Sequence, residues 1–421
     1  MRGRVLAEED VEVRRRRVAA ATNAVVTPID PPLPHAADGP LAGVRVGVKD
    51  NIDTAGVRTT CGSAFFTERV PDADAVAVTR LTGAGAAVVA KLNLSEFAVG
   101  MTSQNSAAGP CRNPWDLDCI PGGSSGGAGA AVAAGLVDLA LGTDTGGSVR
   151  LPAAACGVTG LRPGLGTVPD AGAFPICELI DTVGPLARTV ELVARAFAVL
   201  AGRPVREPAP APPRRIGLPV TPAGDVDEGV ASAVEAAGRV FAAAGSELVP
   251  VEVPGLGAAQ HVLYTLIYAG LPDVHRERLQ HPELFQPDTL TRVLLGSGLT
   301  DGHRDAALAA RAEFQQVLDE VFDDVDVLLT PTLAHRPPRA GLLGGRGTVA
   351  SALLAQPAIA YVALWNVAGN PAASVPRGLG DDGLPTAVQL VGPTDGEPLL
   401  LSLSAQLEAA DPWPTTARTP A

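Results

Sequence analysis

Lysine is nearly missing from this sequence: of 32 basic residues only Lys49 and Lys91 are lysines, and the other thirty are arginines. Arginine can stand in for lysine where a charge or a surface helix former is enough. A lysine kept in such a chain is therefore enriched for work that needs proton loss. Aromatic residues are also scarce, at 4%, while apolar residues make up 46% and charged residues 18%. The core must be built from Ala, Val and Leu, and the chain is neither disordered nor a coiled coil. Acidic residues outnumber basic ones, 45 to 32, for a net charge of −13. Such an electronegative body repels phosphate backbones, which argues against nucleic acid as a partner.

Other absences narrow the class further. No run of about 18 strongly apolar residues occurs, so no membrane segment is expected. The polar VAAATNAVVTP that follows Arg14 to Arg17 does not read as a signal-peptide core. The five cysteines are far apart and include no CxxC pair, which argues against a disulfide framework or a zinc site. A soluble protein of a reducing cytoplasm is expected. The six histidines contain no HExxH, and none adjoins a glycine-rich serine. GGSSGG lacks the GK[ST] ending of a phosphate loop, and no Gly-x-Gly-x-x-Gly follows a strand. Metal, ATP and NAD chemistry are not expected, and neither is a cofactor.

What is present reads as a turn-rich α/β globule. Glycine (47) and proline (38) make up about a fifth of the 421 residues, below the level of low-complexity chains. Val44, Val46 and Val48 alternate as in a strand that ends at Lys49. Residues 73 to 86 read as a helix, and AAVVAKLN as a buried strand that ends near Lys91. An Ala-rich helix over about 127 to 134 leads into a short strand over about 137 to 141 and a second glycine loop. Arg203 to Arg215 resembles a surface linker, 255 to 320 is helical in pattern, and 324 to 332 is a buried strand. Residues 370 to 392 alternate like a hairpin, and Leu399, Leu400, Leu403 and Leu407 share one face of a final helix. One domain over 1–421 is expected, with a core of about 40–200 and 320–410, a variable substrate-pocket region of about 200–320 and a disordered tail at 411–421.

The chemistry concentrates in the glycine loops. In GTDTGGSVR, Gly146 and Gly147 can turn successive N–H groups toward one point, as an oxyanion requires, which makes Ser148 the nucleophile candidate. A serine hydroxyl needs a base, and with no histidine at hand a neutral lysine can serve. Lys49 is the evident supplier. To act near neutral pH its pKa must fall from about 10.4 to near 7, which takes desolvation.

GGSSGG followed by GTDTGGSVRLPAAACG resembles the amidase signature family of serine hydrolases, which includes amidases and the A-type components of glutamine-dependent tRNA amidotransferases. The likeness extends through GVKDNID at 47, KLNLSEFAVG at 91, NSAAGPCRNPWDLD at 105, DTVGPLARTV at 181, DVLLTPT at 326 and GLPTAVQLVGP at 383, and is weakest from about 200 to 320. The resemblance implies a large mixed, mostly parallel twisted sheet covered by helices on both faces. It also implies Lys49 as base, Ser124, which lies 24 residues before Ser148, as a relay in a cis peptide bond, and Ser148 as nucleophile. Backbone N–H groups of Thr145, Gly146, Gly147 and Ser148 would form the oxyanion hole, with Asp144 and Arg150 as loop support. Ser125 is kept as the helix N-cap.

Plainer roles compete at several positions. Lys91 is as rare as Lys49, yet a structural role fits it better, so rarity alone does not identify a base. Cys156 reads as a small core residue and Arg14 to Arg17 as a solvated helix face. Tyr264, Tyr268 and Trp365 could line an acyl pocket, although aromatic residues are usually core. The function expected is hydrolysis of a small or aryl amide through an acyl-enzyme. An amidotransferase component that delivers ammonia to a partner, and ester or carbamate cleavage, stand as alternatives, while a non-catalytic binding module is disfavoured by the intact Lys49, Ser124 and Ser148. The sequence leaves a homodimer open.

Overall fold

A computed structural model of the chain describes residues 8–209, 211–212, 214–221, 223–340, 359–413 and 417. After helix α1 (Glu8–Thr22) come strands β1 (Val25–Pro28) and β2 (Arg45–Lys49), helix α2 (Val76–Gly83) and strand β3 (Ala87–Leu92). Next are α3 (Gly126–Ala133), β4 (Leu139–Thr143), α4 (Arg150–Cys156), β5 (Thr159–Arg162), β6 (Val183–Ala187) and α5 (Val190–Ala201). Then follow β7 (Arg215–Pro219), α6 (Glu228–Ala243), β8 (Glu247–Val251), α7 (Ala259–Val274), α8 (Pro287–Ser297), α9 (Asp301–Asp324) and β9 (Val327–Pro331). The described chain ends with α10 (Ala363–Ala368), β10 (Ala372–Leu379), β11 (Pro385–Val391) and α11 (Glu397–Ala410).

All eleven strands belong to one mixed sheet, in the order β1-β3-β2-β4-β6-β5-β10-β11-β9-β7-β8. It is not mostly parallel: six of the ten pairings are antiparallel. Parallel pairs need long crossovers, and these exist only at the two ends, where β3, β2 and β4 run together and β9, β7 and β8 run together. At the centre β5 and β6 follow each other without a helix between them, as do β10 and β11. In the hairpin of β10 and β11, Ala372 faces Val391.

Alternation within the strands sends side chains to two cores. Val46, Val48, Leu139, Leu141, Val388 and Leu390 pack with α2, α5, α6 and α11 on one face. Ala90, Leu92, Ala140 and Leu186 face α3 and α4 on the other, where α7 to α10 complete the cover. Helix α3 is buried at all eight positions. Its small residues are required there, because a Cβ on Gly127 would lie 2.5 Å from the Asn93 backbone.

Three local expectations change. Strand β4 starts two residues late, because Gly135 turns at φ +72° and the N–H groups of Leu136 and Val137 return to Ala131 O. In α11 Leu401 is buried and Leu399 is only half-buried. The tail is not disordered where described: Trp413 packs on Trp115 at 5.8 Å, and Ala417 is buried with its N–H on Ala133 O. Its other residues, and 341–358 of the expected core, lie outside the described residues. Strands before and after the Pro-rich stretch join the same sheet. Among the described residues no helix is long and apolar enough to cross a membrane.

Candidate active site

Lys49 ends β2, a strand flanked by β3 and β4, so its side chain emerges where sheet and loops shield it completely. Its Nζ donates to Ser124 Oγ and to Thr143 Oγ1, both at 2.7 Å. Burial pulls its pKa down to about 7, against the opposing fields of Asp144, Asp181 and the Cys61 sulfur. Thr143 is the last residue of β4, and Asn51 Nδ2 also donates to its Oγ1, at 3.3 Å. Neither residue stood out in the sequence. The signal was there in the two parallel strands, GVK and LGT, which end side by side.

Ser124 sits in the loop before α3, and the Gly123–Ser124 peptide is cis. Its carbonyl accepts from Ser95 N at 3.1 Å and from Ser103 Oγ at 3.3 Å. Gly123 has no room for a side chain, since a Cβ would fall 2.8 Å from the Met101 carbonyl carbon. Ser125 stands at the N-cap position but makes no side-chain cap. Its hydroxyl donates instead to Thr143 O at 3.2 Å, and its N–H to Ser148 O at 3.3 Å. It thus fastens the Ser124 loop to the strand end rather than capping the helix.

Ser148 lies in the turn between β4 and α4, with its side chain at a cavity. Among the described residues its hydroxyl makes no hydrogen bond, so the link to Ser124 is not closed in this state. Catalytic hydrogen bonds often tighten only when substrate is bound. Asp144 organises the turn. Its carboxylate accepts from Gly147 N at 2.8 Å, Val149 N at 3.1 Å and Asn366 Nδ2 at 2.8 Å, and from Arg150 Nε and Nη2 at 3.1 Å each. Burial pushes this carboxyl upward, but the Arg150 and Arg162 guanidinium groups and the hydrogen bonds outweigh it and hold the group well below the usual carboxylate range.

This arrangement corrects the expected oxyanion hole. Gly147, at φ +101°, turns its N–H inward to Asp144 and away from the cavity. Thr145, Gly146 and Ser148 do line the cavity, and their N–H groups have no partner among the described residues. Arg150 also donates to Gln389 Oε1 at 2.7 Å and to Asn366 Oδ1, so α10 and β11 brace the loop from more than 200 residues away. Asn366, Gln389 and Arg162 had no local signature.

The cavity holds about 570 Å³ of empty space. Besides the loop residues, Met101, Ile176, Leu263, Tyr264, Tyr268 and Arg292 line it, so α7 and α8 supply much of its wall. The Tyr264 and Tyr268 rings stack at 5.4 Å. Trp365 does not reach the cavity; it is fully buried and donates to Tyr361 O at 2.7 Å. Lys91 Nζ donates to Ile52 O at 2.6 Å and Thr59 Oγ1 at 2.7 Å, holding the loop after Lys49. Cys156 is buried, and desolvation keeps its thiol protonated.

A buried amine bonded to a serine hydroxyl, next to a loop of unpaired N–H groups, is an arrangement that can activate a nucleophile and hold an oxyanion. The chain belongs to the Amidase family, which it matches over residues 27–401. It is 38% identical over 412 residues to the A-type component of the glutamyl-tRNA(Gln) amidotransferase of Natronomonas pharaonis, covering 88% of this chain and 96% of that one. It is 37% identical over 390 residues to a Mycobacterium tuberculosis protein named as amidase AmiB2, covering 89% and 83% of the two chains. A bacterial aryl acylamidase of the amidase signature family superposes with a TM-score of 0.82 at 26% identity, over 96% of this chain and 92% of that one.

Proposed function

We propose that this chain cleaves a carbon–nitrogen amide bond through an acyl-enzyme on Ser148. What carries the reading is the 2.7 Å contact of Lys49 Nζ with Ser124 Oγ, in surroundings that lower the pKa of the amine to about 7 and so make its neutral form available near that pH. A neutral amine has a lone pair to offer. Lys49 takes the Ser124 proton as Ser124 takes that of Ser148, and Ser148 Oγ attacks the carbonyl carbon. The N–H groups of Thr145, Gly146 and Ser148 receive the oxyanion, each donor being worth roughly 3 kcal/mol of barrier. The relay then runs backward to protonate the departing amine, and water repeats the cycle on the acyl ester.

The largely apolar wall with its stacked tyrosines suits a small aliphatic or aryl acyl group. A second reading, an ammonia-releasing amidotransferase component, is favoured by the names of relatives such as the Natronomonas protein. The purified chain, given a panel of aryl and aliphatic amides and, separately, glutamine, separates the two. Amine release from the panel without a partner supports the hydrolase, and ammonia from glutamine alone supports the amidotransferase reading. Trapping an adduct on Ser148 by mass spectrometry, absent in Ser148→Ala, tests the covalent step common to both; turnover retained by that variant would reject it.

A further inference from the structure

The antiparallel pairing of β4 with β6 does not stop at the Thr143 and Val183 pair. One residue on, Asp144 and Thr182 exchange backbone hydrogen bonds of 2.8 and 3.2 Å. The next step in register sets Asp181 opposite Thr145, and the side chains meet there: Thr145 Oγ1 donates to Asp181 Oδ1 at 2.5 Å. The other carboxylate oxygen accepts from Ile176 N at 2.9 Å and Cys177 N at 3.0 Å. Thr145 and Ile176 are both walls of the cavity that holds Ser148. One carboxylate therefore ties the N–H loop to the opposite wall. All three of its donors are neutral, and among the described residues no cation pairs with it in a salt bridge.

We propose that Asp181 is a positioning residue of this site: it fixes the Thr145 end of the donor loop against the Ile176 wall, and with Asp144 it is one of the charges that favour the ammonium form of Lys49. The inference rests on the catalytic reading above. The charged groups around the two residues are few. Lys49 faces Asp144, Asp181 and the Cys61 thiol. Asp181 faces Asp170, Cys177 and Arg162, which belongs to the Asp144 brace. A second cavity beyond Thr145, with about 990 Å³ of empty space, borders Asp170, Glu178 and Asp181, so the carboxyl can exchange protons without passing the substrate. Burial raises its pKa to about 6, against the hydrogen bonds from Thr145, Ile176 and Cys177.

The sign follows from Coulomb attraction. Ionised Asp181 favours the ammonium form of Lys49. Removing that charge frees the neutral base at lower pH. Phenylmethanesulfonyl fluoride serves as the probe, because it forms an oxygen–sulfur bond at Ser148 and expels fluoride as the serine proton passes to the base. Its labelling rate on the full chain is followed by intact mass from pH 5 to 9. Asp181→Asn is expected to move the acid limb of that profile down by about one pH unit. Its amide still accepts from Thr145, but it points N–H toward the Ile176 and Cys177 N–H groups, so the half-saturating probe concentration should also rise. Thr145→Val removes the hydroxyl bond and no charge. It should slow the limiting rate roughly tenfold and move the limb less than Asp181→Asn does, and Thr145→Ser should restore the rate.

An Asp181→Asn profile that overlays the wild type, in protein of unchanged melting temperature, overturns the inference and leaves the catalytic reading standing. Ser148→Ala still labelled at the wild-type rate, or Lys49→Arg still reacting normally, overturns the catalytic reading itself. A melting temperature lowered in Asp181→Asn with no change in either limb or saturation would reduce Asp181 to a structural role and count against the inference.

Discussion

The floor and the roof of the site are built by opposite means. The floor, residues 122–150, is made of glycine, serine and alanine, and its precision comes from backbone turns, close approach and hydrogen bonds to fully buried polar groups. The roof takes helices α7 and α8 and anchors them on an aromatic box. Phe97, Phe174 and Phe285 surround His275, and Phe65 and Phe66 pack on those rings, which makes five of only nine phenylalanines in the chain. Arg278 lies over the Phe66, Phe97 and Phe174 rings at 4.8 to 5.5 Å. The contrast suggests that the floor carries the chemistry and tolerates almost no change, while the roof sets pocket shape through packing that can drift.

The sharpest test of that division is Lys49→Arg in the floor. A guanidinium cannot give up its proton, so turnover should drop roughly 10³-fold or more. In the unaltered protein kcat/KM should climb as pH rises toward about 7, where Lys49 loses its proton, and level off above. Next in size is a matched pair of arginine losses read by denaturant unfolding. Arg150→Met leaves the fully buried Asp144 facing only Arg162, 3.7 Å away, and should cost about 3 to 5 kcal/mol. Arg278→Met in the roof gives up a half-exposed cation over aromatic faces and should cost about 1 kcal/mol or less. Equal losses would erase the distinction between the two regions.

The same contrast explains what the sequence could reveal. Ser148 became a candidate through the glycines around its hydroxyl and Lys49 through the near absence of lysine, while Ser124 was carried by the family resemblance alone. Thr143 was half legible, through strand ends that run parallel. Asn366, Gln389 and Arg162 were silent, since each reaches the loop from a distant element that only the folded sheet brings near. The direction of Gly147 N–H was silent for a different reason: a glycine loop announces freedom, and only Asp144 decides where it points. The sheet was misjudged at its centre, where short strands such as β5 give no clue to pairing direction. In the roof, periodicity found the helices but not that Tyr264 and Tyr268 would face the cavity while Trp365 faced the core.

His275 tests whether the roof is only packing. Its ring is buried, neither nitrogen has a partner among the described residues, and burial with the nearby Arg278 charge lowers its pKa to about 4. The unfolded chain takes up this proton near pH 6.5 and the folded one does not until about 4. Stability is therefore whole above 6.5 and drains away as pH falls toward 4, by about 3 kcal/mol in all. His275→Leu should be at least as stable at pH 7 and should lose less on acidification. Unfolding curves at pH 7 and 4.5 that shift in parallel for the two proteins would mean that some other group carries the acid sensitivity.

The finest change is the addition of one methyl group. Gly127→Ala in the floor drives a Cβ to 2.5 Å from both N and O of Asn93 and 2.7 Å from Ala24 O. Those are backbone atoms that cannot step aside, so α3 must move and carry Ser124 with it. A loss of about 1 to 3 kcal/mol is expected, together with lower activity. Gly229 offers the opposite case. It lies in the first turn of α6 with nothing within 4 Å of a new Cβ. Alanine there narrows the unfolded ensemble and favours the helix, so Gly229→Ala should stabilise by about 0.5 kcal/mol and raise the melting temperature by about 1 °C, with kcat unchanged. A melting temperature that falls instead would show that α6 is as closely fitted as the floor, and that close fit is not particular to the site.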